Sequence, residues 1–318
     1  MYDLRDKRIL VTGATGFLGS HIIDSLLKRG CRAVFGIVHS DYDLTSQVEV
    51  GAMFRAFAPE VVIQMAGLVG GIGANQDRPA DFLYTNLMID TLMMRYSWES
   101  GVSRFAAAAA GCGYPQDAPM PLKEDDFWNG YPQKWSAPYS LAKRMLNIHS
   151  RAMFEQYGMR SVIIIPGNIY GPNDQFRLND AHVIPALVRK FVDAVEDGRD
   201  EVVVWGTGRA TRDFVFAGDV AECLLRAIET YDTPRLINAS SGVESSIADV
   251  VSILAELTGF GGRITWDDSK PDGQPRRCFD ISRACRDLGY EPTVDLRTGL
   301  RLTVEWYKEN RLKPTTRR

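Results

Sequence analysis

Apolar residues recur along the first half of the chain in one order: a short buried run, a turn, then a helical stripe. Arg8 to Thr12 reads as a buried strand. Gly13-Ala-Thr-Gly16-Phe-Leu-Gly19 follows, then an apolar helical pattern through Phe17, Leu18, Ile22, Ile23, Leu26 and Leu27, closed by Gly30. The same grammar predicts strands over Ala33–Val38, Glu60–Met65, Arg104–Ala110 and Ser161–Ile165. It predicts helices over Val48–Ala58 and Pro79–Ser100, the second opening with proline in its first turn. Strands that alternate with helices predict an α/β fold, a doubly wound parallel sheet.

The second half is less regular. Pro166 to Pro172 turns the chain outward, and Asn173–Asn179 is polar and loop-like. Helices are predicted over Ala181–Glu196, Val220–Thr230, Ser246–Thr258 (with Ser245 or Ser246 as cap) and Leu296–Glu309. Short strands are predicted over Glu201–Trp205 and Arg235–Asn238, a basic loop over Gly206–Arg212, and a longer loop over Asp267–Arg277. Phe214–Asp219 leads back to the first domain. The expected division is residues 1–170 plus 214–240 as the dinucleotide-binding domain, and 171–213 plus 241–318 as a smaller C-terminal substrate lobe. The basic tail Lys313–Arg318 is expected to be disordered.

Composition narrows the function. A net charge of −3 without a long basic run argues against nucleic acid as a partner. Five scattered cysteines without a Cys-x-x-Cys pair, and only four histidines, argue against a metal site or a disulfide framework. The expected setting is the reducing cytoplasm. No apolar run reaches the length of a membrane span.

The glycine spacing has a physical reading. Gly13 permits the turn, Gly16 lets backbone approach a pyrophosphate, and Gly19 lets helix and strand pack closely. The helix N-terminus then offers unpaired N–H groups to phosphate. The second strand ends in His39-Ser40 with no acid next to it, which favours NADP over NAD as cofactor, NAD(H) staying open. Tyr139 and Lys143 are four apart and share one helix face. The lysine charge is expected to lower the tyrosine pKa, giving a proton donor beside a hydride transfer. Cys112 follows a central strand, where a side chain can face a ligand. Asn86 stands alone as a polar residue in an apolar helix.

Beyond these, Gly70-Gly71-Ile-Gly-Ala-Asn75, Cys112-Gly-Tyr-Pro115, Tyr139-x-x-x-Lys143 and Asn168-Ile-Tyr-Gly-Pro172 resemble the extended short-chain dehydrogenases that modify nucleotide sugars. His182-Val-Ile-Pro-Ala-Leu187, Trp205-Gly-Thr-Gly208, Arg212-Asp-Phe and Lys270-Pro-Asp-Gly bring the resemblance to the GDP-L-fucose synthase group. The resemblance implies that Tyr139 protonates O4 during reduction, with Lys143 holding the nicotinamide ribose. It implies that Cys112 and His182 form the acid–base pair that epimerises C3 and C5. It assigns the cofactor to Gly13, Thr15, Gly16, Phe17, Leu18, Gly19, His39, Ala66, Lys143, Pro166, Asn168 and His182. It assigns the substrate's sugar and diphosphate to Lys190, Trp205, Arg212 and Arg277, and has the Asp267–Arg277 loop close on the nucleotide.

One position departs from the group. Its members carry a serine two residues before the cysteine, hydrogen-bonded to the reacting carbonyl; this chain has Ala110. Losing one donor to a developing oxyanion costs about 10²–10³ in rate. The expected function is an NADPH-dependent epimerase/reductase acting on a GDP-4-keto-6-deoxyhexose. The alternatives are a GDP-mannose 3,5-epimerase-like activity without net reduction, or a weakened dinucleotide-binding variant. The resemblance also implies a homodimer, formed through the helices Pro79–Ser100 and Tyr139–Tyr157.

Overall fold

Runs of Val, Ile, Leu and Ala that are apolar on both faces belong in the middle of a parallel sheet covered on two sides. The computed structural model describes residues 1–177, 181–270 and 273–312. Its strands are β1 (Arg8–Thr12), β2 (Ala33–Ile37), β3 (Val61–Gln64), β4 (Arg104–Ala108), β5 (Ser161–Pro166) and β6 (Asn168–Tyr170). They continue as β7 (Glu201–Trp205), β8 (Thr211–Phe216), β9 (Arg235–Ala239), β10 (Glu244–Ser246), β11 (Arg263–Asp267) and β12 (Arg276–Arg277). The helices are α1 (Phe17–Lys28), α2 (Gln47–Phe57), α3 (Ile72–Asp77), α4 (Pro79–Glu99) and α5 (Ala137–Tyr157). After them come α6 (Val183–Glu196), α7 (Ala217–Thr230), α8 (Ile247–Thr258), α9 (Ser282–Leu288) and α10 (Leu296–Asn310).

The main sheet is parallel, in the order β2-β1-β3-β4-β5-β9. The chain reverses direction across the sheet between β1 and β3, which opens a crevice at the carboxyl ends of those strands. This is a doubly wound α/β fold. One face of the sheet is covered by α1, α7 and α9 through Ile22, Leu26, Val220, Leu224 and Ala284. The other is covered by α2, α4 and α5 through Met53, Ile89, Met93, Leu146 and Met153. A separate core joins α6, α8, α10 and β7 through Phe191, Val204, Val250, Leu254 and Val304.

Differences from the sequence reading have local causes. The Gly70-Gly71-Ile-Gly-Ala-Asn75 motif, in a stretch where the sequence predicts no helix, runs into the short helix α3 before α4 begins. Ser246 caps α8, with Asp249 completing a reciprocal capping box, because its side chain meets the Asp249 N–H. Strand β11 lies in a stretch whose glycine-rich approach hides it; it pairs in parallel with β7 from Arg263↔Glu201 to Asp267↔Trp205. Helix α9 packs on the first core although it lies late in the chain. Leu178 to Asp180, Pro271-Asp272 of the Lys270-Pro-Asp-Gly motif, and the tail Lys313–Arg318 lie outside the described residues. Among the described residues no helix is long and apolar enough to cross a membrane.

One buried carboxylate ties the two cores together. Asp213 on β8 is fully buried. It accepts from Ser241 N (3.0 Å), Ser241 Oγ (2.6 Å), Gly242 N (3.1 Å) and Phe279 N (3.2 Å). Burial pushes its carboxyl above the usual aspartate range, and these donors pull it back. Replacing it strands several buried N–H groups. Asp213→Ala is expected to lower stability by about 3 kcal/mol, read from the urea midpoint at unchanged slope.

Candidate active site

The cofactor crevice starts where β1 ends. Gly13 has a positive φ of 63°, and a Cβ on Gly19 would lie 2.1 Å from Gly13 O, so the turn and the helix behind it close only around glycine. Helix α1 has Gly16 as its N-cap, with no side-chain cap and no acid in its first turn. Its first N–H groups, beside Thr15, Phe17 and Leu18, therefore have no side-chain cap, and such a helix start suits an anion. Thr12 Oγ1 accepts from Met65 N and Ala66 N (3.2 Å each) and donates to Gln64, which locks the ends of β1 and β3 together. These residues fit a dinucleotide's diphosphate. His39 is exposed two residues past β2. Asp41 turns its carboxylate back onto Val38 N (3.0 Å), so the acid after this strand is engaged in its own turn. Pro166 ends β5 and Asn168 begins β6, at the same carboxyl edge.

Helix α5 places Tyr139 and Lys143 one turn apart, as the spacing predicts. Tyr139 packs edge-on to Phe82, with ring centroids 6.0 Å apart. Lys143 Nζ meets Asp90 Oδ2 at 3.0 Å, and both side chains are buried. Asp90 Oδ1 accepts from Gln64 Nε2 at 3.0 Å. The expected lowering of the Tyr139 pKa is not what the structure gives. Burial first, then Cys112, then Asp90 push its phenol well above the usual tyrosine value. Burial is the main reason, and the Asp90 carboxylate that pairs with Lys143 adds its own negative charge against a phenolate. Tyr139 is consequently a protonated acid at every physiological pH, which suits donation rather than abstraction.

Asp90 and Gln64 were not singled out by the sequence reading. A signal was present: Asn86 and Asp90 stand four apart on one face of an otherwise apolar helix. Asn86 Nδ2 donates to Leu68 O (3.0 Å) and Phe82 O (2.7 Å), fixing the loop after β3.

Cys112 sits half-buried in a single 3-10 turn, Gly111–Gly113, at the end of the segment that follows β4. Tyr139, Arg144 and Arg277 all lie close enough to respond to its charge. Arg144 grips this turn: Nε donates to Gly113 O and Nη1 to Gly130 O (2.8 Å), with the guanidinium over Phe127 and Trp128. In sequence Arg144 reads as an ordinary helix cation next to Lys143, so only the fold reveals it.

His182 is the N-cap residue of α6. Its side chain is exposed to solvent, yet the protein atoms around it hold its pKa below the usual 6.5. The structure brings Cys112 and Tyr139 together. Among the described residues it forms no hydrogen bond from the His182 ring to either.

The remaining cations divide into two places. Lys190 Nζ donates to Val203 O (2.9 Å) and lies 5.2 Å from the Trp205 ring centroid, and burial lowers its pKa. Lys270, which opens the Lys270-Pro-Asp-Gly motif but has no substrate role in the sequence analysis, lies 5.8 Å from the same ring. Trp205 is 65% exposed, so it offers an aromatic platform flanked by two ammonium groups. Arg212 Nη1 donates to Thr211 O (2.7 Å), and the β8–β12 register sets Arg277 opposite Arg212. Arg277, however, points to the cysteine turn: its Nη2 donates to Gly111 O at 3.3 Å.

With the geometry in hand, comparison with known proteins is specific. The model of the NAD dependent epimerase/dehydratase family matches residues 9–240. GDP-L-fucose synthase 1 of Arabidopsis thaliana is 36% identical over 306 residues, covering 96% of this chain and 94% of its own. The structure of a GDP-L-fucose synthetase from Naegleria fowleri bound to NADP superposes with a TM-score of 0.90 at 27% identity, covering 98% of this chain and 95% of that one. A GDP-mannoheptose C4 reductase from Campylobacter jejuni with NADP bound gives a TM-score of 0.85 at 27% identity, covering 96% and 99%. The crevice at the β1/β3 switch, the Tyr139–Lys143 face and these matches agree, and the chain belongs to the NAD-dependent epimerase/dehydratase family.

Proposed function

We propose that this protein is an NADPH-dependent epimerase and reductase that converts a GDP-4-keto-6-deoxyhexose to the corresponding GDP-deoxyhexose, in the manner of the GDP-L-fucose synthases. What supports this reading is that Tyr139 and Lys143 share one face of α5 with the Cys112 turn near enough to act on Tyr139, in a chain similar to named synthases. Gly13, Thr15, Gly16, Phe17, Leu18 and Gly19 hold the cofactor's diphosphate, with Ala66, Pro166 and Asn168 along the crevice rim and His39 near the adenosine ribose. Lys143 holds the nicotinamide ribose. When bound, NADPH supplies the hydride that reaches C4.

The protein's own part is proton handling. A carbonyl at C4 acidifies the hydrogens at C3 and C5. Cys112 and His182 remove and return those protons from opposite faces. Tyr139 then donates its phenolic proton to O4 as hydride arrives at C4. Lys190, Lys270 and Trp205 suit the nucleotide end of the substrate, and Arg212 its diphosphate. Similarity to named synthases and to a C4 reductase favours net reduction over an epimerase that only cycles its cofactor, and over a binding-only variant.

We further infer a homodimer. Exposed apolar side chains line one face of α4 (Leu83 and Tyr84) and of α5 (Met145 and Ile148), two helices that pack side by side. A second copy covers this stripe in a four-helix bundle. Five free cysteines suit a reducing cytoplasm.

Incubation with GDP-4-keto-6-deoxymannose and NADPH in deuterated water is expected to give NADPH loss at 340 nm and deuterium at C3 and C5. Absence of both signals would refute the proposal. Tyr139→Phe is expected to slow NADPH oxidation about 10²–10⁴-fold while deuterium entry continues. Because the Tyr139 pKa is raised, its acid form persists as pH climbs; reduction by the wild type should show no loss from tyrosine ionisation between pH 6 and about 9, checked by a kcat profile. Light scattering should give twice the chain mass, and Met145→Glu with Ile148→Glu should give the monomer.

A further inference from the structure

The group that this chain resembles carries a serine hydroxyl where Ala110 stands, and Ala110 cannot donate a hydrogen bond. Both halves of the proposed reaction place negative charge on the same atom. Removing a proton from C3 or C5 forms an enolate with its charge on O4. Adding hydride at C4 sends the carbonyl π pair to O4 as Tyr139 protonates it. A site that handles O4 twice needs a donor there besides Tyr139.

Arg277 is placed to be that donor. Strand β12 pairs with β8 in parallel, Arg277↔Arg212, and aims the side chain at the turn that follows Ala110. Its Nη2 donates to Gly111 O at 3.3 Å. Its Nε is buried and has no hydrogen-bond partner among the described residues, an expensive state for a guanidinium donor. The turn itself leaves no room for a bulkier neighbour: Phe279 and Pro166 O stand against Gly111, where an added Cβ would lie 2.9 Å from Phe279 Cζ. Burial lowers the Arg277 pKa, offset by Cys112, which places the guanidinium within reach of the group that works on C3 and C5. The cation is thus held by one bond to backbone, beside the base, with donor capacity unspent.

We propose that Arg277 is a catalytic residue that replaces the missing serine hydroxyl, donating a hydrogen bond to O4 in both the enolate and the reduction step. This rests on the functional reading above. Arg277 transfers no proton; Tyr139 supplies the one that ends on O4, and solvent reprotonates Tyr139. A guanidinium is a stronger donor to a developing oxyanion than a hydroxyl, since the hydrogen bond is charge-assisted. Ala110 is therefore tolerated because the charge on O4 has another partner.

The test is a double-mutant cycle with GDP-4-keto-6-deoxymannose and NADPH in deuterated water, following kcat for NADPH oxidation and for deuterium entry. Arg277→Met is expected to lower both about 10²–10³-fold, with KM changed less than threefold. Ala110→Ser is expected to change the wild type less than threefold but to recover tenfold or more in the Arg277→Met background. Arg277→Lys, which keeps the charge, is expected to keep more than a tenth of the activity. NADP⁺ binding and the melting temperature of each variant check folding. A wild type without either signal overturns the functional reading itself. A wild type active in both, with additive effects and no rescue by serine, overturns this inference alone. So does an Arg277→Met variant that raises KM at unchanged kcat, which would make Arg277 a binder of the substrate's phosphates, or one whose only change is slower iodoacetamide alkylation of Cys112.

Discussion

The buried ion pair between Lys143 and Asp90 is where sheet, α4 and α5 meet. An unpaired ammonium is costly to bury; here Lys143 meets Asp90, which is itself bonded to Gln64. The chain of contacts runs on through Gln64 to Thr12 and so to the ends of β1 and β3, which define the crevice. One polar network therefore fixes the mouth of the cofactor site and the face of α5 that carries Tyr139. Removing one partner from such a pair typically costs about 3–5 kcal/mol. That makes the network a condition for the fold as well as for the site.

The same pair decides the electrostatics of catalysis. An isolated Tyr-x-x-x-Lys motif suggests a tyrosine tuned toward its anion. Here the burial of Tyr139 dominates, and the carboxylate adds its own negative charge against that anion. Such a site suits giving a proton to an oxygen that takes up the carbonyl π pair as hydride adds to the carbon. Around the cysteine turn the pattern is different: Arg144 holds the turn from α5 and Arg277 reaches it from β12.

Much of this was legible in the sequence because it depends on short-range pattern. The strand-turn-helix at Gly13–Gly19, the helix carrying Tyr139 and Lys143, and the helix starting behind His182 are all local. So was the fold class, since apolar runs alternating with helical stripes admit few other architectures. What the sequence hid is pairwise and distant. Asp90 and Lys143 are far apart in the chain, as are Arg277 and Gly111, and no periodicity links them. Strand β11 and helix α9 were hidden for a different reason: each is short and owes its form to the surface it lands on, β7 for the first and α7 for the second. Arg144 could not be distinguished from a solvated helix cation until its aromatic cradle was seen.

The path of the backbone between the two cores has a consequence for motion. The chain leaves the first core after β5, returns through β8 into α7, leaves again after β9, returns with α9, and leaves for α10. Asp213 and Asp219 pin two of these passages, the second by accepting from Thr293 and Val294 as the chain departs for α10. Several passages of chain, two of them pinned by buried carboxylates, join these cores where a single link would leave one hinge. Arg277 shares in this tethering: β12 pairs with β8, whose Asp213 holds Ser241 and Phe279.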